Sequence, residues 1–240
     1  MQNQKKYIDP SAGFFNRQDR PKLIMAAITG VLITVTYLMF KEDFPRDFIQ
    51  ILPLYVSLIV MFLQSGANRY GFLLGGFNAL FYAGVYVSFG LYASAVSAAA
   101  ISFPLQILTF IQWGRHPYGK STMFRKLGPK RLAICLAILA AAFGICYFIF
   151  SALGSQHLLL DNASLIFGTV VTILTTLAYI EYLYLQFISQ GISFALSLAL
   201  ALNTPSRTPY VIYSVYCTIC VILTAVRVLG LYRQQQESGT

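Results

Sequence analysis

The carboxamides of Asn78, Gln106, Gln186 and Gln190 stand inside stretches otherwise built mainly from apolar residues. An amide offers a donor and an acceptor without importing a charge, which is the chemistry needed to hold a sugar hydroxyl or a base edge. It is expensive in an apolar medium without partners, so each must meet another helix or a polar cavity in the bundle interior. Aromatic rings at Tyr82, Tyr86, Phe103 and Tyr213 could stack on a flat solute; packing is their ordinary alternative use. Glu181 and Arg227 are the ionisable groups within the apolar stretches that could form a gating ion pair. Nothing resembles a catalytic set. His116 and His157 fall in separate connecting segments, and Cys135, Cys146, Cys217 and Cys220 lack the paired spacings of a zinc site. A redox reading of Cys217-x-x-Cys220 would need a thioredoxin-like context that is missing. No nucleotide-binding loop is present, so the expectation is a protein that is not an enzyme and carries no cofactor, metal or ATP engine of its own.

The elements that position these residues follow from composition. Of 240 residues, 57% are apolar and 10% charged, far from the roughly 45–50% and about 25% of soluble domains. The apolar stretches approach the roughly 20 residues that a helix needs to cross a bilayer. Spans are predicted at about 23–40, 48–66, 71–91, 94–113, 132–153, 162–184, 186–203 and 210–232, giving an all-α polytopic membrane protein. The weakest cut lies within "YIEYLYLQFISQG", where almost nothing polar separates two spans. The first 22 residues are polar and contain Lys5, Lys6, Arg17, Arg20 and Lys22, so no cleaved signal is expected.

A net charge of +9 does not indicate nucleic acid, because the cations lie between apolar spans rather than along a soluble face. They set orientation instead. With the N-terminus inside, its five cations join Arg69, Arg233 and six in the 114–131 loop (Arg115, Lys120, Arg125, Lys126, Lys130 and Arg131). Only Lys41, Arg46 and Arg207 fall opposite, so both termini are expected in the cytoplasm. Trp113 is then expected at the headgroup boundary.

Domain organisation is expected to be a basic segment 1–22, one transmembrane domain 23–235 and a cytoplasmic tail 236–240. Within it, triples 48–113 and 162–232 flank a connector 132–153. Two three-helix units run parallel only if an odd number of helices separates them, and the fifth span supplies that crossing.

The segments "YGFLLGGFNALFYAGVYVSFGLY" and "FPLQILTFIQW" resemble the first half of the PnuC-type vitamin transporters, and the likeness extends over about residues 48–235. The resemblance implies two parallel three-helix bundles joined by a connecting helix, similar to the SWEET sugar exporters, with an extra N-terminal helix here. It also implies facilitated uptake of a ribosylated vitamin such as nicotinamide riboside, trapped afterwards by a separate cytoplasmic kinase. The family pattern E-x-W-x-x-W-x-x-x-N is matched in "EYLYLQFISQ" by Glu181 and, at the amide, by Gln190, whereas Leu183 and Gln186 stand at the two tryptophan positions. Loss of the indoles removes a platform for a cationic ring and opens the pocket to a neutral nucleoside or deoxynucleoside. The expected partners are this small molecule and the lipid bilayer; a homo-oligomer is compatible with the sequence but not specified by it. Gln106 and Gln190, from equivalent ends of the two triples, are expected to reach one central cavity, with Gln186, Asn78, Tyr82, Phe103 and Tyr213 around them.

Overall fold

The computed structural model of the protein describes residues 20–41, 46–118 and 121–237. Lys5, Lys6, Arg17 and Lys120 lie outside the described residues, as do most of the segment 1–22 and residues 238–240 of the tail. Eight helices long and apolar enough to cross a membrane are present among the described residues. They are α1 (Arg20–Phe40), α2 (Arg46–Ser65), α3 (Tyr70–Ser88), α4 (Tyr92–Arg115), α5 (Pro129–Ala152), α6 (Leu158–Thr176), α7 (Tyr182–Asn203) and α8 (Thr208–Glu237). Six of them touch in cyclic order, α2–α3–α4–α6–α7–α8, and α8 closes on α2. Outside this ring, α1 packs on α8 and α2, while α5 packs on α6.

Large apolar side chains face outward, with Phe148 and Leu202 both 77% exposed. Such a surface suits hydrocarbon, where burial of apolar area no longer drives helices together and close packing and hydrogen bonds must do so. One apolar cluster joins Ile33, Leu54, Phe89 and Tyr216; another joins Trp113, Phe124, Leu174 and Val228. Tyrosine hydroxyls tie α8 to α2: Tyr216 donates to the Leu58 carbonyl at 3.0 Å and Tyr210 to that of Gln50 at 2.5 Å.

Three expectations need correction. The sixth span does not continue to 184: α6 stops at Thr176 and α7 starts at Tyr182, with Ala178 in the left-handed region at φ 57°. The turn is held from outside, since Arg125 N–H donates to the Ala178 carbonyl at 2.8 Å and Ile180 N–H to that of Arg125 at 2.9 Å. Glu181 therefore lies in a turn rather than on a helix. The 114–131 connection is also more ordered than a basic loop requires. Pro117–Tyr118 and Ser121–Thr122 pair as a small antiparallel β-hairpin, and the Gln235 amide receives Phe124 N–H at 3.0 Å while donating to the Thr122 carbonyl at 2.9 Å.

Trp113 supplies the third correction, being 1% exposed rather than set at a lipid boundary. Its Nε1–H donates to the Thr175 carbonyl at 2.9 Å, where the end of α6 leaves a carbonyl within reach. Its ring packs edge-on against Phe72 and Phe124. Trp113→Phe is expected to cost about 1 kcal/mol, the net worth of one buried hydrogen bond, measured as a lower melting temperature of the detergent-solubilised protein. Unchanged melting would show that the indole N–H contributes nothing there.

Candidate functional site

A cavity of about 260 Å³ lies inside the ring, and all six ring helices contribute to its lining. From α3 come Gly75, Asn78, Ala79, Tyr82 and Tyr86, spaced three or four residues apart so that one helical face is presented. From α2 come Ser57, Val60 and Gln64; α6 adds Ser164 and Gly168, α7 adds Ser189 and Ser193, and α8 adds Tyr213.

The contribution of α4 depends on a local departure from α-helical geometry. Ser94, Ser97, Ala98, Ser102 and Gln106 all line the cavity, although residues five apart on an α-helix point about 140° away from one another. Residues Ser97–Ser102 are π-helical, and an i→i+5 turn returns Ser102 to the face of Ser97. Pro104 follows at once. It has no N–H to give to the carbonyl four residues back, so regular hydrogen bonding is broken there in any case. The proline thus falls where helix geometry changes and Gln106 is turned inward.

The polar groups of α2 and α3 form a directed chain. Asn78 Nδ2 donates to the Pro53 carbonyl at 3.1 Å and to Ser57 Oγ at 2.7 Å. Because a carbonyl can only accept, this contact fixes the amide orientation. Ser57 passes its own proton to the Tyr82 hydroxyl at 3.0 Å. The Tyr82 proton is then free to point at a solute, while Asn78 Oδ1 remains a buried acceptor without a partner. Gln106 Oε1 is likewise buried and unpaired. Tyr82 and Tyr86 are stacked, with ring centroids 5.5 Å apart and planes 25° apart. The lining residues include no Asp, Glu, Lys, Arg or His. The arrangement can hydrogen-bond an uncharged polar solute beside an aromatic face; it offers no ion partner.

Of the expected site residues, the structure brings Asn78, Gln106, Tyr82 and Tyr213 to this cavity. It does not bring Gln190, Gln186 or Phe103 to its lining. Gln190 is occupied elsewhere: its Nε2 donates to the carbonyl and hydroxyl of Ser214 at 3.0 and 3.2 Å, bonding α7 to α8. Phe103 packs on Phe77, with centroids 6.1 Å apart. Glu181 and Arg227 form no ion pair. Glu181 Oε1 instead accepts the Leu127 N–H at 2.9 Å, and Arg227 is exposed on α8. The cavity serines were missed. Their residue type says little, and on α4 the serines at 94, 97 and 102 come to one face only through the π-helical turn.

No curated protein matches the chain by sequence. Its fold is similar to the crystal structure of the vitamin B3 transporter PnuC, with a TM-score of 0.77 at 15% identity over 94% of this chain and 96% of that one. The family model described as "Nicotinamide mononucleotide transporter" matches residues 47–232, more than three quarters of the chain. With eight membrane-length helices among its described residues and a polar cavity lined by six of them, the chain belongs to this family of membrane transporters and is not an enzyme.

Proposed function

We propose that the protein mediates facilitated uptake of an unphosphorylated ribosylated vitamin, most concretely nicotinamide riboside, through the cavity inside the ring. The carrying observation is the lining itself: neutral hydroxyls and amides, two of them unpaired buried acceptors, and no charged side chain. Ribose hydroxyls can pair with the Tyr82 hydroxyl, the cavity serines and, once its side chain turns into the space, the unpaired Gln106 Oε1, while Tyr82, Tyr86 and Tyr213 offer aromatic faces to a pyridinium ring. At about 260 Å³ the space lies just below the roughly 300–1,000 Å³ of small-molecule sites, which limits it to one small solute. A phosphate would enter without a cation to balance it, so phosphorylation by a separate cytoplasmic kinase would trap the solute. The cation bias of the sequence supports cytoplasmic termini, with the β-hairpin on the same side. A second reading, a neutral nucleoside or deoxynucleoside, draws support from the absence of any tryptophan or carboxylate in the lining.

Movement down a gradient needs no ionisable relay, and none lines the cavity. Purified protein in sealed liposomes is expected to take up labelled nicotinamide riboside to equilibrium when sodium and proton gradients are collapsed by ionophores. Accumulation of unmodified solute above the external concentration, abolished by those ionophores, would overturn this reading. So would binding without uptake.

A further inference from the structure

Asp161, in the first turn of α6, is 0% exposed. Its Oδ2 accepts the Ala93 N–H at 3.0 Å and its Oδ1 the Ser94 N–H at 2.9 Å. The Ser94 hydroxyl also donates to Oδ1, at 2.5 Å, and the Ser155 hydroxyl donates to Oδ2. Ala93 and Ser94 form the first turn of α4, whose free N–H groups and dipole favour an anion, so one helix supplies the cap of another. Ser155 lies in the α5–α6 turn. That turn is interlocked with the α3–α4 turn: Gln156 N–H donates to the Gly90 carbonyl at 2.9 Å. Gly90 has φ 68°, and a Cβ there would come within 3.2 Å of the Gln156 side chain. Thus one carboxylate joins the starts of α4 and α6 to the α5–α6 turn, and that turn in turn holds the α3–α4 turn, all at the end of the molecule opposite the hairpin.

The same α4–α6 seam is tied again farther along. Thr109 and Thr176 share a hydrogen bond of 2.7 Å, and Trp113 reaches the Thr175 carbonyl. Both Asp161 oxygens are satisfied, and their backbone donors cannot swing away unless the end of α4 moves. Ser94 meanwhile belongs to the cavity lining.

We propose that the α4–α6 seam is the fixed joint of the transporter and that Asp161 is a positioning residue, holding Ser94 in the cavity wall while access to the cavity changes elsewhere in the ring. This inference rests on the cavity being the path of the solute. Asp161→Asn preserves size but sets an NH2 group against N–H and O–H donors. In liposomes, for whichever of nicotinamide riboside and thymidine the unmodified protein carries, it is expected to raise KM about 5-fold, the scale of one ordinary hydrogen bond, and to leave Vmax nearly unchanged. Ser155→Ala, which keeps the carboxylate and its α4 donors, should move KM in the same direction by less, and it carries the test if the Asn variant does not insert.

A second readout needs no transported solute. A cysteine introduced as Ser102→Cys should react faster with a small thiol reagent when Asp161→Asn is added, because the wall is loosened. Failure of the unmodified protein to carry either solute would count against the proposed substrate, whereas the labelling ratio would still decide the joint. A changed Vmax at constant KM would mean that the seam opens as a gate and would overturn the proposal. Lower melting alone, with KM and labelling unaltered, would reduce Asp161 to a structural role and overturn it as well.

Discussion

Gln106→Leu is expected to lower Vmax/KM for uptake about 10- to 100-fold, with insertion and melting close to those of the unmodified protein. Leucine has nearly the volume of glutamine but lacks the acceptor that the cavity leaves unpaired. In the empty transporter the change removes an unsatisfied buried group, so stability should not suffer. In the loaded transporter it strands a hydroxyl or amide of the solute with no partner, which is where the loss arises. Gln190→Leu is the matching control. Its amide joins α7 to α8 through Ser214, so melting should fall while the apparent KM stays within about twofold. Initial rates over a range of solute concentrations, alongside melting curves for both variants, check the contrast. Equal kinetic effects from the two glutamines would remove the distinction between the cavity wall and the helix contact.

Gly75→Ala is expected to reduce uptake about tenfold through the same side chain, for a reason that is steric rather than chemical. A Cβ at position 75 would lie 2.2 Å from Gln106 Oε1 and 3.1 Å from Val60 Cγ1. The first contact is with the mobile end of a long side chain, so the fold can accommodate it by rotating Gln106 away. That rotation takes the acceptor out of its place. Stability should change little while transport falls, and the two substitutions should not add: Gly75→Ala in a Gln106→Leu background should cost almost nothing further. The double-mutant comparison of uptake rates measures this directly. Full additivity would mean that Gly75 acts independently of Gln106.

Much of the ring was legible in the sequence because bilayer thickness constrains helix length more firmly than soluble packing does. The failures were local. The α6–α7 boundary is invisible in "YIEYLYLQFISQG" because the turn depends on a left-handed Ala178 and on hydrogen bonds from Arg125, more than fifty residues earlier. Asn78 and Gln106 stood out because amides are conspicuous among apolar residues, yet the same logic selected Gln190, and only the nearby Ser214 separates the two cases. Serines gave no such signal. A serine in a membrane helix can satisfy itself on the carbonyl four residues back, as Ser197 does on Ser193, so its type says little about what it faces. Asp161 sits at a span edge, where a carboxylate ordinarily meets water. That it meets the start of α4 instead is a property of tertiary structure.

Competition in liposomes tests most directly whether the neutral polar cavity carries an unphosphorylated ribosyl compound. Uptake of labelled nicotinamide riboside would be measured against excess unlabelled nicotinamide riboside, nicotinamide mononucleotide, thymidine, deoxyadenosine, thiamine or riboflavin. Nicotinamide riboside is expected to inhibit, the neutral nucleosides to inhibit more weakly, and the mononucleotide not at all, because its phosphate finds no cation among the lining residues. Inhibition by the mononucleotide equal to that by the riboside, together with its own entry when labelled, would contradict the claim.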